Sequence, residues 1–233
     1  MVPDGQLVYA IGDIHGYLDL LDALLPAIEQ DARDFPDAEK TIIFLGDYID
    51  RGEQSKEVLD RIIDLRKETN VITVRGNHEI MMMSSRTSDD SFNFWQGYGG
   101  FETLLSYGHD FKGNWIDDIP MRHWFFLEDT LRYYENDKFI FVHASVHHQV
   151  EMDQQPDSWL FWNRFETIKG HISGKKVICG HSSQKSGCIA DNEHAVCIDT
   201  WSIHKFLTCL NTDTGDYWQV AVNGYKRHDK MDL

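Results

Sequence analysis

Three short segments carry residue types that can bind metal and handle phosphate: Gly12-Asp13-Ile14-His15-Gly16, Gly46-Asp47-Tyr48-Ile49-Asp50-Arg51-Gly52 and Gly76-Asn77-His78-Glu79. Each closes a short apolar run, and two later apolar runs lead into His143 and His181. Carboxylate, amide oxygen and imidazole without thiolate form a donor set that suits Mn, Fe or Zn rather than Ca or a structural zinc site. Each piece alone has an ordinary reading. A Gly-Asp turn is usually only a turn, and a lone histidine at a strand end is usually a hydrogen-bonded surface residue. Asp13, His15, Asp47, Asn77, His143 and His181, at the ends of five successive strand-like runs, do not reduce to that reading. These donors are too many for one ion that must keep an open position, and they suit two ions sharing a carboxylate. A metal pair roughly 3.5–4 Å apart is the usual arrangement for in-line attack on phosphorus.

The flanking pattern supplies elements to hold these residues. Leu7–Ile11, Thr41–Leu45 and Val71–Val74 read as strands. Tyr17, Leu18, Leu21, Leu24, Leu25 and Ile28 recur at helical spacing, as do Val58, Leu59, Ile62 and Ile63 behind a candidate cap at Ser55. The order β-α-β-α-β implies neighbouring parallel strands, and ligands of such sheets bind at the carboxyl ends of the strands. Residues 80–128 are rich in Met, Trp, Phe and Gly, with helical patches at Phe92–Tyr98 and Phe101–Tyr107. The second half turns strand-rich at Thr130–Tyr134, Phe139–Val142, Lys176–Cys179, Val196–Asp199, Phe206–Leu210 and Trp218–Val222. The expected architecture is α/β, with two sheets packed face to face and helices outside. One domain is expected over residues 1–233, without an interdomain linker, and with residues 80–128 as a cap or substrate segment.

Composition sets outer bounds. The 233 residues are 42% hydrophobic and 26% charged, which describes a globular chain rather than a disordered or fibrous one. No run approaches the ~18 apolar residues of a membrane-spanning helix. The N-terminal residues show no basic, apolar leader, so the expected compartment is the cytoplasm. The four cysteines, Cys179, Cys188, Cys197 and Cys209, make no C-x-x-C pair and are expected to be buried, reduced thiols. A formal charge of −16 argues against binding a nucleic-acid polymer or an anionic membrane. It leaves a phosphate substrate open, because bound metal ions can reverse the local potential.

The three motifs together resemble the signature of the phosphoprotein phosphatase family within the calcineurin-like metallophosphoesterases. The length and His143-Ala144 resemble its bacterial and phage lambda phosphatase-like branch. The resemblance runs from about Val8 to Asp199 and implies a four-layer αββα calcineurin-like fold. It implies that Asp13 and His15 hold a first metal, that Asp47 bridges both, and that Asn77, His143 and His181 complete the second site. It further implies that His78 is the general acid, oriented by Asp50, and that Arg51 and Arg164 bind phosphate oxygens. A surface salt bridge is the alternative for Arg164.

The implied cofactor is a pair of divalent ions, Mn²⁺ first, with Fe or Zn as alternatives. The implied activity is a serine/threonine protein phosphatase, extending to phosphotyrosine, in which the metal pair activates hydroxide for attack on phosphorus. Hydrolysis of diadenosine tetraphosphate or a related dinucleotide polyphosphate is the alternative. A 2′,3′-cyclic phosphodiesterase ranks below it, and a non-catalytic phosphate-binding module is disfavoured because every expected ligand is present. Two departures stand out. Ile198-Asp199-Thr200 is followed by Trp201 where the family often has Gly, and no regulatory-subunit docking region is carried over.

Other features read more plainly. Met81-Met82-Met83 and Trp95, Trp115 and Trp124 are expected to pack in the core. His147-His148 is expected in a solvated loop, and Glu79 to make hydrogen bonds that hold the third motif.

Overall fold

The structure, a computed structural model, describes residues 5–201 and 205–233. Its strands are β1 (Gln6–Ile11), β2 (Glu39–Phe44), β3 (Asn70–Thr73), β4 (Tyr133–Glu135), β5 (Phe139–Val142), β6 (Lys176–Cys179), β7 (Ala190–Asn192), β8 (Ala195–Cys197), β9 (Phe206–Asn211), β10 (Asp216–Ala221) and β11 (Lys226–Lys230). They form two mixed sheets, ordered β11-β10-β9-β1-β2-β3 and β4-β5-β6-β8-β7. In the first, β1, β2 and β3 are parallel, with Val8 opposite Thr41 and Ile43 opposite Ile72. In the second, β5, β6 and β8 are parallel, with Phe141 opposite Ile178 and Cys179 opposite Cys197.

Period-two alternation decides which face each side chain covers. Val8, Ala10 and Ile43 from the first sheet meet Phe139, Phe141 and Ile178 from the second in a core between the sheets. Leu7, Tyr9, Ile11, Ile42 and Phe44 point the other way. They pack under helices α1 (Leu18–Ala32) and α2 (Ser55–Glu68), whose Leu21, Leu24, Ile28, Leu59 and Ile62 are buried. Ile140, Val142, Val177 and Cys179 form a third cluster with Leu160 and Phe161 on the outer face of the second sheet. Each Val, Leu, Ile or Phe among them contributes about 1.5–3 kcal/mol by leaving water. Helix, sheet, sheet, helix is therefore the layer order, and the chain has the calcineurin-like αββα fold.

The remaining helices are α3 (Asn77–Ser84), α4 (Asp89–Trp95), α5 (Phe101–Ser106), α6 (Met121–Asp129) and α7 (Asp157–Trp162). A π-helical turn at Gln96–Gly100 joins α4 to α5, with Gly99 at φ 109°. Trp95, Trp115 and Trp124 are buried, as are Met81 and Met82. Among the described residues no helix is long and apolar enough to cross a membrane.

Several sequence expectations change. Ser55 is the first residue of α2 rather than its cap, and its Oγ accepts the Asp50 N–H at 3.1 Å. The run from Thr130 pairs as a strand only from Tyr133, because Leu131 makes an isolated bridge to Val74 instead. The run from Val196 shifts to Ala195–Cys197. Edge strands β7 and β11 carry mostly polar and charged side chains, so alternation gave no signal for them. Cys188 is exposed, while Cys179, Cys197 and Cys209 are buried and free.

Candidate active site

The carboxyl ends of β1, β2, β3, β5 and β6 run into five loops that meet at one end of the two sheets. Main-chain bonds lace them together. The N–H groups of Ile14 and His15 donate to the Asp47 carbonyl at 3.0 and 2.9 Å, and Gly180 N–H donates to the His143 carbonyl at 2.8 Å. The Glu79 side chain performs the holding role expected of it. Its Oε2 accepts from Asp47 N (2.9 Å) and Gly76 N (2.8 Å), and its Oε1 accepts from Tyr48 N (2.8 Å). The fit is close enough to require glycine at two points. A Cβ on Gly76 would lie 2.1 Å from Asp47 Oδ1, and one on Gly180 would lie 2.2 Å from Asp13 Oδ1.

Asp47 faces both ways. Its Oδ2 lies 3.6 Å from His15 Nε2, and its Oδ1 lies 3.4 Å from His143 Nε2. Asp47, His143 and His181 offer donor atoms close enough to hold an ion, as do His15, Asp47 and His78. Asn77 Oδ1 lies 2.9 Å from His143 Nε2 and 3.0 Å from His181 Nδ1. Asp13, expected as a ligand of the first metal, belongs to neither donor set and accepts the His181 N–H at 3.2 Å. Asp13, His15, Asp47, Asn77 and His143 are all nearly inaccessible, and His181 is half-buried.

The donor chemistry fits cations. His15 Nδ1–H donates to the Ile49 carbonyl (3.0 Å), and His143 Nδ1–H donates to the Leu45 carbonyl (2.8 Å). His181 Nε2–H donates to the Trp162 carbonyl at 3.3 Å. These bonds fix the tautomers and leave the opposite ring nitrogen of each histidine with a bare lone pair aimed at carboxylate or amide oxygen. Acceptor facing acceptor in a dry site is stable only around a positive charge. The exposed Arg51 shows the same preference, since its Nη1 lies 2.8 Å from His15 Nε2 and its Nη2 lies 3.1 Å from His78 Nε2.

Protonation energetics agree. Burial pushes His15 and His143 below the usual imidazole range, and burial with the His143 charge takes His181 down to about 4. Neutral imidazole is the form that ligates metal. Burial, then the Asp199 and Asp47 charges, push Asp13 well above the usual carboxylate range. Burial lifts Asp199 to about 6. A divalent cation beside them would offset both costs.

His78 behaves differently. Burial pulls its pKa down, but the Asp47 charge together with the hydrogen bond and charge of Asp50 prevail, and the net shift is upward. Its Nδ1 lies 2.6 Å from Asp50 Oδ2, and its Nε2 lies 3.8 Å from Asp47 Oδ2. That last distance would admit His78 to the first metal cluster. The Asp50 bond and the opposite pKa direction set it apart from the three neutral histidines.

Arg164 is exposed, and its charge contributes to lowering the pKa of His181. Among the described residues it makes no ion pair within 4.0 Å. His147 and His148 lie in a loop with their rings stacked at 5.1 Å, partly exposed, and His147 is edge-on to Trp159 at 4.9 Å. Trp201 packs 6.4 Å from the His15 ring and 4.4 Å from the Tyr17 ring, closing that flank of the cluster.

Two features escaped the sequence. His15, Asp47, Asp50, Arg51 and His181 have left-handed backbones, at φ 49°, 52°, 74°, 66° and 60°. Such positions cost on the order of 1–3 kcal/mol each and cluster where function requires them. The second is the set of partners on Asp50. Trp95 Nε1 donates to both Asp50 oxygens, at 3.0 and 2.9 Å, and Thr103 Oγ1 donates to Oδ1 at 2.6 Å.

Fold and cluster together define a metallophosphoesterase. The pattern of the calcineurin-like phosphoesterases matches residues 7–204, and the chain belongs to that family. Over 76 residues it is 37% identical to a symmetrical bis(5′-nucleosyl)-tetraphosphatase of Stutzerimonas stutzeri, which is 33% of this chain and 25% of that protein. Over 126 residues it is 30% identical to serine/threonine-protein phosphatase 1 of Salmonella typhimurium, covering 50% of this chain and 54% of that one. The matched stretches thus span about a quarter and about half of those relatives. A solved structure of a candidate diadenosine tetraphosphatase superposes with a TM-score of 0.63 at 16% identity, over 99% of this chain and 96% of that one, which shows the shared fold.

Proposed function

We propose that this enzyme is a phosphomonoesterase acting on phosphoserine and phosphothreonine in proteins. The observation that carries the reading is the His78–Asp50 pair at 2.6 Å. An alkoxide is a strong base and a poor leaving group, so a positioned acid is worth about 10²–10⁴-fold in its departure. A nucleoside diphosphate leaving a dinucleotide is a much weaker base and needs that proton less. A protonated imidazole held by a buried carboxylate therefore suits an alkyl phosphate best.

In this reading Asp13, His15 and Asp47 hold one divalent ion, and Asp47, Asn77, His143 and His181 hold a second, with Mn²⁺ the expected metal. When bound, the pair supplies Lewis-acid activation of water and of the phosphoryl oxygens. The chain's own groups do the rest. His78 Nε2–H delivers the proton to the leaving oxygen, and Asp50 keeps the ring oriented. The Arg51 guanidinium, a planar fork at the mouth of the cluster, binds two phosphate oxygens and the charge that grows on them. Arg164, which has no carboxylate partner among the described residues, serves the outer phosphate oxygens. Residues 1–233 act as one catalytic domain, with the segment around 80–128 shaping the substrate surface.

Hydrolysis of dinucleotide polyphosphates is the second reading. A pocket of about 360 Å³ lined by Ile80, Met81, Phe94 and Trp162 favours it, because its aromatic walls could stack a base. The test is the leaving-group dependence of His78→Asn. The loss should be large on a phosphoserine peptide and small on p-nitrophenyl phosphate. Equal losses on both would remove the acid role.

A further inference from the structure

The Asp50 carboxylate is fully buried, and a buried carboxylate needs donors on both oxygens. One donor is His78. The others come from 45 and 53 residues further along the chain: the Trp95 indole N–H, which spans both oxygens, and the Thr103 hydroxyl at 2.6 Å. Thr103 Oγ1 also accepts the Asp50 N–H at 2.9 Å, so one hydroxyl grips both the main chain and the side chain of the same residue. Between them, the Gly99 carbonyl accepts the Arg51 N–H at 3.2 Å. Asp50 and Arg51 both have left-handed backbones, which hold only where surrounding contacts over-determine them.

We infer that Trp95 and Thr103 are positioning residues for proton delivery: they fix the Asp50 carboxylate so that it aims His78 at the leaving oxygen. The inference rests on the acid role proposed above and extends it to the aromatic segment. Trp95 is itself immobilised, with its ring 6.2 Å from Phe92 and 5.2 Å from Trp115. The carboxylate is thus tied through the indole to a packed aromatic cluster rather than to a loop. Without these donors Asp50 could turn about its side-chain bonds, and His78 would follow it.

The test uses Trp95→Phe, which keeps a ring and removes the N–H, and Thr103→Val, which keeps the shape and removes the hydroxyl. kcat and KM are measured on a phosphoserine peptide and on p-nitrophenyl phosphate, beside His78→Asn, with metal content determined for each protein. The expected result is a kcat loss of about 10–100-fold on the peptide, a fraction of what a positioned acid supplies. The loss on the aryl ester should be under about 3-fold, with KM and metal content unchanged and Thr103→Ser restoring most of the rate. A purely structural role would lower both substrates alike, and that outcome, or no loss on either, overturns the inference. Thr103→Val decides the matter even if Trp95→Phe fails to fold. If His78→Asn shows no leaving-group dependence, the acid role and this inference fall together. If His78→Asn shows it and Thr103→Val does not, only this inference falls.

Discussion

The loops at the strand ends and the aromatic segment between Asp89 and Asp129 serve the same centre by opposite means. The loops are short, polar and strained: five site residues have left-handed backbones, and a Cβ added at Gly76 would strike Asp47 at 2.1 Å. The segment brings mass, and its one left-handed non-glycine residue, Phe111 at φ 60°, is not among the site residues. Phe92 stacks on Trp115 at 5.6 Å, and Trp115 lies 5.8 Å from Trp124. Only the Trp95 N–H, the Thr103 hydroxyl and the Gly99 carbonyl reach from it to Asp50 and Arg51. A reactive group needs both kinds of support. Loops can place ligands within a few ångströms of one another, but a rigid outer layer is what keeps them there.

This contrast can be broken at either end. Asp47→Ala should have the largest effect, because the proposed metal pair would lose the carboxylate common to both donor sets. Metal analysis should find both gone, and activity should fall beyond the 10–100-fold typical of losing an outer partner. Full retention of metal would refute the bridge.

Asp50→Asn should come next. If His78 is the acid, its protonated form is the active one and its raised pKa keeps that form at higher pH, so activity on an alkyl ester should be lost as pH rises through that pKa. Without the Asp50 charge the alkaline limb should move to lower pH. A limb that stays in place or moves up would contradict the account.

Gly76→Ala should cost about 1–3 kcal/mol through the clash with Asp47, or about 2–4 °C of Tm for each kcal/mol. Gly97→Ala, in the aromatic segment, meets nothing within 4 Å and should leave Tm within about 2 °C. Equal shifts would mean that the loops are no tighter than the segment. Tyr107→Phe should give a smaller effect than Gly76→Ala. It removes a 2.6 Å bond to His123 and should cost about 1 kcal/mol in thermal unfolding, with kcat unchanged.

The sequence shows these two regions with unequal clarity. The parallel strands β1, β2 and β3 were legible from apolar runs ending in Gly-Asp or Gly-Asn, because buried parallel strands and ligand-binding loops both leave local marks. The same holds for His143 and His181, each one step past a buried run. β7 and β11 were not legible, since an edge strand rich in charge has no alternating face. Ser55 looked like a helix cap because its type fits one, yet its hydroxyl is spent on Asp50. Trp95 and Thr103 could not be assigned from spacing, because the partner that gives them meaning is 45 or more residues away and meets them only in the folded chain. Trp95 could be read as core, which it is, but not as a donor.

A metal-dependent phosphomonoesterase with an acid suited to alkyl leaving groups should favour a phosphoprotein over a dinucleotide. The most direct test compares kcat/KM, with Mn²⁺ present, on a phosphoserine or phosphothreonine peptide and on diadenosine tetraphosphate. The expected preference is for the peptide, by tenfold or more, about 1.4 kcal/mol of transition-state discrimination. A tenfold preference for the dinucleotide would contradict it and turn the Phe94–Trp162 pocket into a base-binding site.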